Sequence, residues 1–330
     1  GVKTPFYFFL LRNDEINAFA FFGGHVGVHT GLFLNADNES ELASVLAHEI
    51  THVTQRHLAR SLEAQQKSST ATIVGMLGAI LLTIAAPQAG MAALATTQAL
   101  ATQSKINYTR LHEKEADRIG MQILVDAGFD PNAAATFFGQ LAIRYRFTTT
   151  PPQMLLTHPL PESRITEARN RAAQYPKRNV PNSLNFQLAK ARIQVRFSSF
   201  SDDAALSLFE QQLKKNEYSF KQAALYGKAL ALFRLEKFAQ AEVIIDDLLK
   251  QDDNNLFYID TKTDLLDQKK DFAGAIALLE AQRKLKPTSQ VVNTNLANIY
   301  VQADQPKKAI PLLEELIFFD KQNMLPYQIM

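Results

Sequence analysis

Two histidines four residues apart, His48 and His52, enclose Glu49 in the run Leu46-Ala47-His48-Glu49-Ile50-Thr51-His52-Val53. On an α-helix this spacing puts both imidazoles on one face, one turn apart. Two neutral rings so placed can grip one Zn²⁺, with Glu49 available to take a proton from activated water. The bland alternative is a pair of partly buried, hydrogen-bonded histidines. Asn38 with Glu41 three residues on predicts a helix N-terminus, and Leu42, Val45, Leu46, Ile50 and Val53 recur at helical spacing. No Gly or Pro interrupts Ser40 to Lys67, which predicts one long, rigid helix to about Gln66. On such a helix His57 points off the ligand face and reads as a surface or packing residue. The metzincin pattern is absent, because Gln55 and Leu58 stand where it needs Gly and His.

A second stretch, Asn107 to Ile119, continues as a helix that should stop near Gly128 and Pro131. Glu113 and Asp117 share one face of it at i and i+4. A glutamate on a second helix completes a site with two His ligands, leaving a fourth position for water. Asp117 can then orient a ligand histidine and fix its tautomer. The alternative is an exposed charged face with ordinary i,i+4 pairs, the reading given to Glu115. Further on, Thr157-His158-Pro159-Leu160-Pro161 predicts a stiff, non-helical loop. Its His158 is placed to reach the open metal position, and Arg164 to orient that loop or a substrate carbonyl.

These residues need elements to hold them. Residues 4–34 are rich in Phe, Val and Leu and read as strands over Tyr7 to Arg12, Ala18 to Phe22 and Gly27 to Leu34. A strand beside the His48–His52 helix could hold an extended peptide by edge pairing. His25 and His29, in a turn and a strand, read as structural. The most apolar run, Ile73 to Ala101, is broken by Pro87 after 14 residues and is too short to span a membrane. It predicts two short Ala-rich helices in a hairpin, with peripheral membrane contact through residues 73–101 as the alternative.

The chain of 330 residues is 46% apolar and 21% charged, which suits two packed domains and excludes disorder. A net charge of +2 gives no pull toward nucleic acid. With no cysteine there is no thiol nucleophile, thiolate ligand or disulfide, so any zinc site must be built from His and carboxylate. The sequence opens Gly1-Val2-Lys3 with no signal peptide in view, and reads as processed or trimmed.

Proline and basic residues between Gln174 and Asn185 mark a boundary between a domain over residues 1–180 and another over 181–330. Beyond it Ala241, Ala275 and Ala309 are spaced 34 apart, as are Ile245, Leu279 and Leu313. Ala229, Thr263 and Ala297 share another repeat position, and Ala204 to Phe209 resembles a degenerate further unit. A 34-residue helix-turn-helix period is the tetratricopeptide signature, an α-solenoid suited to binding peptide or protein.

His48-Glu49-x-x-His52 followed by Glu113-x-Glu115-Ala116-Asp117 resembles the gluzincin metallopeptidases that include HtpX and the CAAX prenyl endopeptidases. Asn17-Ala18-Phe19-Ala20, Gly23-Gly24, Thr30-Gly31-Leu32 and the Thr157-His158-Pro159 run resemble further blocks of that family. The resemblance implies a mainly α (α+β) chain: a gluzincin-type domain with a small β-sheet, then the tetratricopeptide solenoid. It implies one Zn²⁺ per chain on His48, His52 and Glu113, with Glu49 catalytic and Asp117 supporting. In the family's periplasmic, repeat-bearing members the histidine matching His158 is held to fill the fourth zinc site and keep the protease latent. Those members imply a Gram-negative periplasmic setting. Their partners are outer-membrane β-barrel proteins and the assembly machinery, including the lipopolysaccharide-transport barrel, whose assembly is promoted and whose stalled forms are degraded. Two other classes stay open: a repeat-based chaperone with a largely silent protease site, and a membrane-surface protease like the CAAX enzymes.

Overall fold

The computed structural model describes residues 5–85, 87–147, 153–159, 162–319 and 325–329. The chain divides into two compact units, Gly1–Asn182 and Ser183–Met330.

The first unit opens with a three-stranded sheet of β1 (Tyr7–Leu11), β2 (Ala18–Phe21) and β3 (His25–His29) in the order β1-β3-β2. β1 runs parallel to β3, whereas β2 pairs with it antiparallel, Phe19 opposite Gly27. The third strand differs from the predicted Gly27 to Leu34. It starts two residues earlier, at His25, and the chain turns into helix α1 (Thr30–Asn35). The cause lies at Thr30-Gly31. Thr30 Oγ1 donates to Asn13 O at 2.8 Å and accepts from Asn13 N at 3.1 Å. A Cβ on Gly31 would come within 2.1 Å of Asp14 O, so only glycine permits this close approach.

Helix α2 (Glu39–Thr54) carries the HExxH run. Its N-terminus is closed as predicted. Asn38 Oδ1 accepts from Glu41 N at 3.0 Å, and Glu41 Oε2 accepts from Asp37 N at 2.8 Å. The helix does not continue to Gln66. Arg56 adopts a left-handed conformation (φ 54°), and a new helix, α3 (His57–Ala85), begins directly after it. This left-handed stop at a non-glycine carries no composition signal.

The predicted hairpin exists, but its arms are not short helices. They are the ends of the 29-residue α3 and the 40-residue α4 (Pro87–Asp126), which pack against each other. Gly75 and Gly78 are absorbed within α3, because one glycine costs a helix only ~1 kcal/mol. No helix of the described residues is long and apolar enough to cross a membrane.

α4 also packs against α2, and their backbones come close at Gly120. A Cβ there would sit 3.2 Å from the Ala47 carbonyl and His48 Cα. Ala47, Met121, Leu124, Val125, Ala133 and Ala172 form the core around the crossing. α5 (Ala133–Arg144) lies against α2, and Thr136 Oγ1 donates to the buried Glu41 at 3.0 Å. α6 (Gln153–Thr157) is a single turn, and α7 (Glu162–Ala172) packs on α5 and α4. His158 ends α6, its N–H donating to Met154 O at 2.8 Å, so the segment is helical up to Thr157 rather than wholly extended. The following Leu160 and Pro161 lie outside the described residues.

Every regular element among the second unit's described residues is a helix. α8 (Leu184–Arg196) and α9 (Asp202–Lys215) both pack against α10 (Lys221–Arg234), which pairs with α11 (Phe238–Gln251). α12 (Leu256–Gln268) pairs with α13 (Phe272–Leu285), α14 (Gln290–Gln302) with α15 (Pro306–Phe319), and α16 (Leu325–Ile329) packs on the last pair. The 34-residue period is visible in the backbone. Glu236, Lys270 and Asp304 are left-handed at φ 59°, 59° and 58°, each turning one helix into its partner. The predicted repeat positions are buried: Ala241 and Ala275 to 0% exposure and Ala309 to 1%, with Ile245, Leu279 and Leu313 beside them. Small residues at these points let adjacent helices approach, and the flanking Leu and Ile side chains each contribute ~1.5–3 kcal/mol on burial.

Candidate metal centre

α2 and α4 cross where a two-helix metal site needs them to cross. One ligand atom each from His48, His52, Glu113 and His158 lie within 4.8 Å of one another. His52 Nε2 is 2.9 Å from His48 Nε2, and the two face Glu113 oxygens at 3.5 and 3.4 Å. His158 Nδ1 closes the group at 3.4 Å from His48 Nε2 and 3.1 Å from Glu113 Oε1. A tetrahedral Zn²⁺ with bonds of about 2.0–2.1 Å has ligand-to-ligand edges of about 3.3 Å. These separations lie on either side of that value, so the donor set suits one such ion.

The surroundings turn each donor inward. His48 Nδ1 lies 3.1 Å from Asp117 Oδ1, so its Nε2 is the nitrogen that faces the cluster. Asp117 is itself gripped by Arg164, whose Nε and NH2 donate to its two oxygens at 2.8 Å each. Arg164 NH1 also reaches Glu113 Oε2 at 3.0 Å and donates to Pro159 O at 2.7 Å, tying the residue after His158 to the carboxylates. Of the two roles open to Arg164 in the sequence, the loop or a substrate carbonyl, its buried guanidinium engages the loop.

The electrostatics follow from packing so many ionisable groups together. Burial alone would lower the pKa of His48, but Asp117 and Glu113 outweigh it and raise the imidazole to about 10. Burial and the neighbouring His48 and His158 push His52 down to about 2. Burial works against ionisation of Glu113, yet hydrogen bonds from His158 and His48 hold it well below the usual carboxylate range. Asp117 is likewise lowered to about 2, His48 and Arg164 overcoming its burial. Glu49 moves the other way, its carboxyl raised by burial against the opposing pull of His158 and His48. Glu49 Oε1 makes no hydrogen bond among the described residues and faces His158 Nε2 at 3.5 Å. A buried carboxyl poised upward beside a metal site suits general-base work.

A cavity of about 530 Å³ opens over Glu49, His52, Glu113 and His158 and is bordered by β2 residues Phe19, Ala20 and Phe21. β2 is an edge strand, so among the described residues no other strand pairs with its outer side.

Two sequence assignments change. Of the two readings of His57, surface or packing, the first falls: it is buried, and its Nδ1 lies 2.9 Å from His52 Nδ1. The break at Arg56 rotates it there, and no pattern in the sequence signals that break. Glu115 is not simply part of a solvated face either, because its Oε2 meets His57 Nε2 at 3.0 Å and Arg60 NH1 at 2.8 Å. His25 and His29 terminate β3, away from the cluster, consistent with their structural reading.

Comparison with known proteins gives matches for both units. A tetratricopeptide repeat model matches residues 267–328. The chain is 48% identical over 329 residues to the putative beta-barrel assembly-enhancing protease of Vibrio cholerae, covering 100% of this chain and 68% of that one. It is 48% identical over 324 residues to the beta-barrel assembly-enhancing protease of Escherichia coli (strain K12), covering 98% and 66%. The mitochondrial metalloendopeptidase OMA1 of Bos taurus is 31% identical over 190 residues, covering 54% and 33%. This chain thus spans about two thirds of the length of its bacterial relatives. The model of peptidase family M48 matches residues 2–172, the span that supplies both crossing helices and the His158 segment. With that coverage and those identities, the chain belongs to peptidase family M48.

Proposed function

We propose that this protein is a zinc-dependent endopeptidase whose site is held latent by His158 and whose repeat unit recruits protein partners. The observation that carries the reading is the set of four donors gathered within 4.8 Å beside a buried Glu49 whose Oε1 has no hydrogen-bond partner among the described residues. His48, His52 and Glu113 would hold the ion, and Zn²⁺ suits a His/carboxylate set of this geometry. Bound there, such an ion supplies Lewis-acid chemistry, acidifying water and polarising a peptide carbonyl.

The remaining steps belong to the chain itself. Glu49 takes the proton at Oε1 and passes it to the leaving amine, its raised pKa matching both tasks. The β2 edge pairs with an extended substrate and lays its backbone along the cavity. Asp117 and Arg164 fix His48 and Glu113 in place. His158, as the fourth donor, occupies the position that water needs, so hydrolysis requires its withdrawal. That is a two-state arrangement, biased by whatever favours the withdrawn segment.

The names of the bacterial relatives, and the tetratricopeptide match, support a role with β-barrel proteins. Outer-membrane β-barrel proteins and their assembly machinery, including the lipopolysaccharide-transport barrel, are the proposed partners, met through the repeat unit. The proposed setting is the periplasm of a Gram-negative bacterium, and degradation of stalled barrels is the proposed use of the protease. Within residues 73–101 the exposed Val74, Leu77 and Met91 region offers an apolar face suited to peripheral membrane contact. A direct test is cleavage of an unfolded model protein by zinc-loaded His158→Ala chain. Activity that chelation removes and zinc restores supports the reading; no cleavage with zinc bound contradicts it.

A further inference from the structure

The donors around the cluster account for His48 through Asp117, but a second chain of contacts runs behind His52 and has no part in the reading above. His52 Nδ1 lies 2.9 Å from His57 Nδ1, and His57 Nε2 lies 3.0 Å from Glu115 Oε2. Arg60 NH1 donates to the same Oε2 at 2.8 Å. His112 covers one face of the His57 ring, stacked at 4.3 Å with the planes 6° apart. His57 is 3% exposed, so its position is set by these neighbours and not by solvent.

We propose that His57, oriented by Glu115, is a positioning residue that fixes the tautomer and ring angle of His52 and thereby prepares it to bind metal. The proton arrangement follows from elementary inventory. Glu115, salt-bridged to Arg60, is an acceptor, so His57 Nε2 must carry the hydrogen between them. A neutral His57 then has a lone pair at Nδ1, which can only accept. His52 Nδ1 must therefore donate, and the Nε2 lone pair of His52 is left facing His48, Glu113 and His158. A buried ring free to flip would lose that lone pair for half its orientations and would order only on metal binding. The arrangement differs from that behind His48, where the acceptor is a carboxylate. An imidazole is a neutral acceptor, so it orients His52 without adding a negative charge beside Glu113.

This inference rests on the metal reading above, and its test separates the two. Zinc affinity of the full chain would be measured by chelator competition for wild type, His57→Phe and His57→Asn. The imidazole ¹⁵N spectrum of His52 would be recorded in each zinc-loaded protein. Phenylalanine keeps the ring and the stack on His112 but offers no acceptor. Asparagine places an amide oxygen near the Nδ1 position. The expected result is a loss of about 10–100-fold in affinity for His57→Phe, most of it recovered in His57→Asn. Wild-type His52 should show a protonated Nδ1 whose proton exchanges slowly with water, and that signal should be lost or fast-exchanging in His57→Phe.

Equal affinities for wild type and His57→Phe would overturn the inference while leaving the metal site intact. So would His57→Asn binding as weakly as His57→Phe, which would mean that packing alone is at work. No zinc binding by wild type would remove the metal reading itself. Should His57→Phe fail to fold, Glu115→Ala at the more exposed end of the chain takes its place. It should weaken zinc binding and be rescued by Glu115→Gln, and unchanged affinity in Glu115→Ala would overturn the inference.

Discussion

His158 Nε2 lies 3.5 Å from Glu49 Oε1, although 109 positions separate the two residues in the chain. The other nitrogen of the same ring lies 3.1 Å from Glu113 Oε1. One imidazole thus stands between the proposed base and the proposed ligands, on a segment held by Met154 O behind it and Arg164 ahead of it. An imidazole so placed, in the wall of the cavity, would block the proposed site. His158→Ala should raise proteolysis by about tenfold or more, as expected when a competent state of a few per cent becomes dominant. Steady-state cleavage of an unfolded substrate measures this, and an unchanged rate would rule out the plug.

Glu49→Gln should keep the metal and lose the chemistry. The amide is nearly isosteric but cannot accept the proton, so kcat should fall by about 10²–10⁴-fold with metal content unchanged. Loss of metal together with activity would instead make Glu49 a structural residue.

Arg164→Ala should be among the most damaging single changes in the first unit. Arg164 is 4% exposed and answers both Asp117 and Glu113. Removing it leaves two buried carboxylates short of their cation, at a cost of about 3–5 kcal/mol. Urea unfolding should show that loss in metal-free protein and a smaller one with zinc, since the ion would itself neutralise Glu113. Equal losses would mean that metal and Arg164 do not share Glu113.

Metal uptake should be coupled to protons. In the metal-free protein His48 is raised to about 10 by Asp117 and Glu113 working against its burial, and so is protonated at neutral pH. A ligand imidazole must be neutral, so binding expels that proton. His52, lowered to about 2, and Glu113, held ionised, have none to give. Zinc binding near pH 7 should therefore release about one proton, and affinity should rise with pH by up to about tenfold per unit below about 10. Calorimetry in two buffers of different ionisation enthalpy counts the proton, and a count of zero would contradict the assignment.

Gly120→Val should couple packing to the site. The close approach of α4 to the Ala47-His48 backbone leaves no room for a branched side chain. Overpacking there should cost about 1–3 kcal/mol and move Glu113 away from His48, weakening zinc binding as well as lowering the unfolding midpoint. Lost stability with full zinc affinity would show that Gly120 serves the core alone.

Much of this architecture is legible in the residues, and the reasons differ by element. Asn38, Glu41 and the apolar spacing determine α2 locally, and Ala241, Ala275 and Ala309 reveal the repeat because the same packing problem recurs every 34 residues. Glu113 and Asp117 are readable because i and i+4 fix a shared helix face. The environment of His57 is not readable. The stop at Arg56 is a left-handed residue with neither Gly nor Pro to announce it, and a shift of one helix axis converts an apparently outward histidine into a neighbour of His52. The end of β3 is hidden for a similar reason, since Thr30-Gly31 turns the chain by clasping Asn13 and Asp14 from a distant segment. Both depend on contacts between segments, which periodicity along one segment does not record.

The most direct test of the central claim is metal content combined with zinc X-ray absorption on the wild-type chain and on His158→Ala. A zinc metallopeptidase latched by its own histidine should carry about one zinc per chain in a shell of three imidazoles and one carboxylate. The variant should keep the metal with two imidazoles, one carboxylate and water. Wild-type protein never exposed to chelator that holds no zinc at neutral pH would contradict the metal site, and an identical shell in the two proteins would contradict the latch.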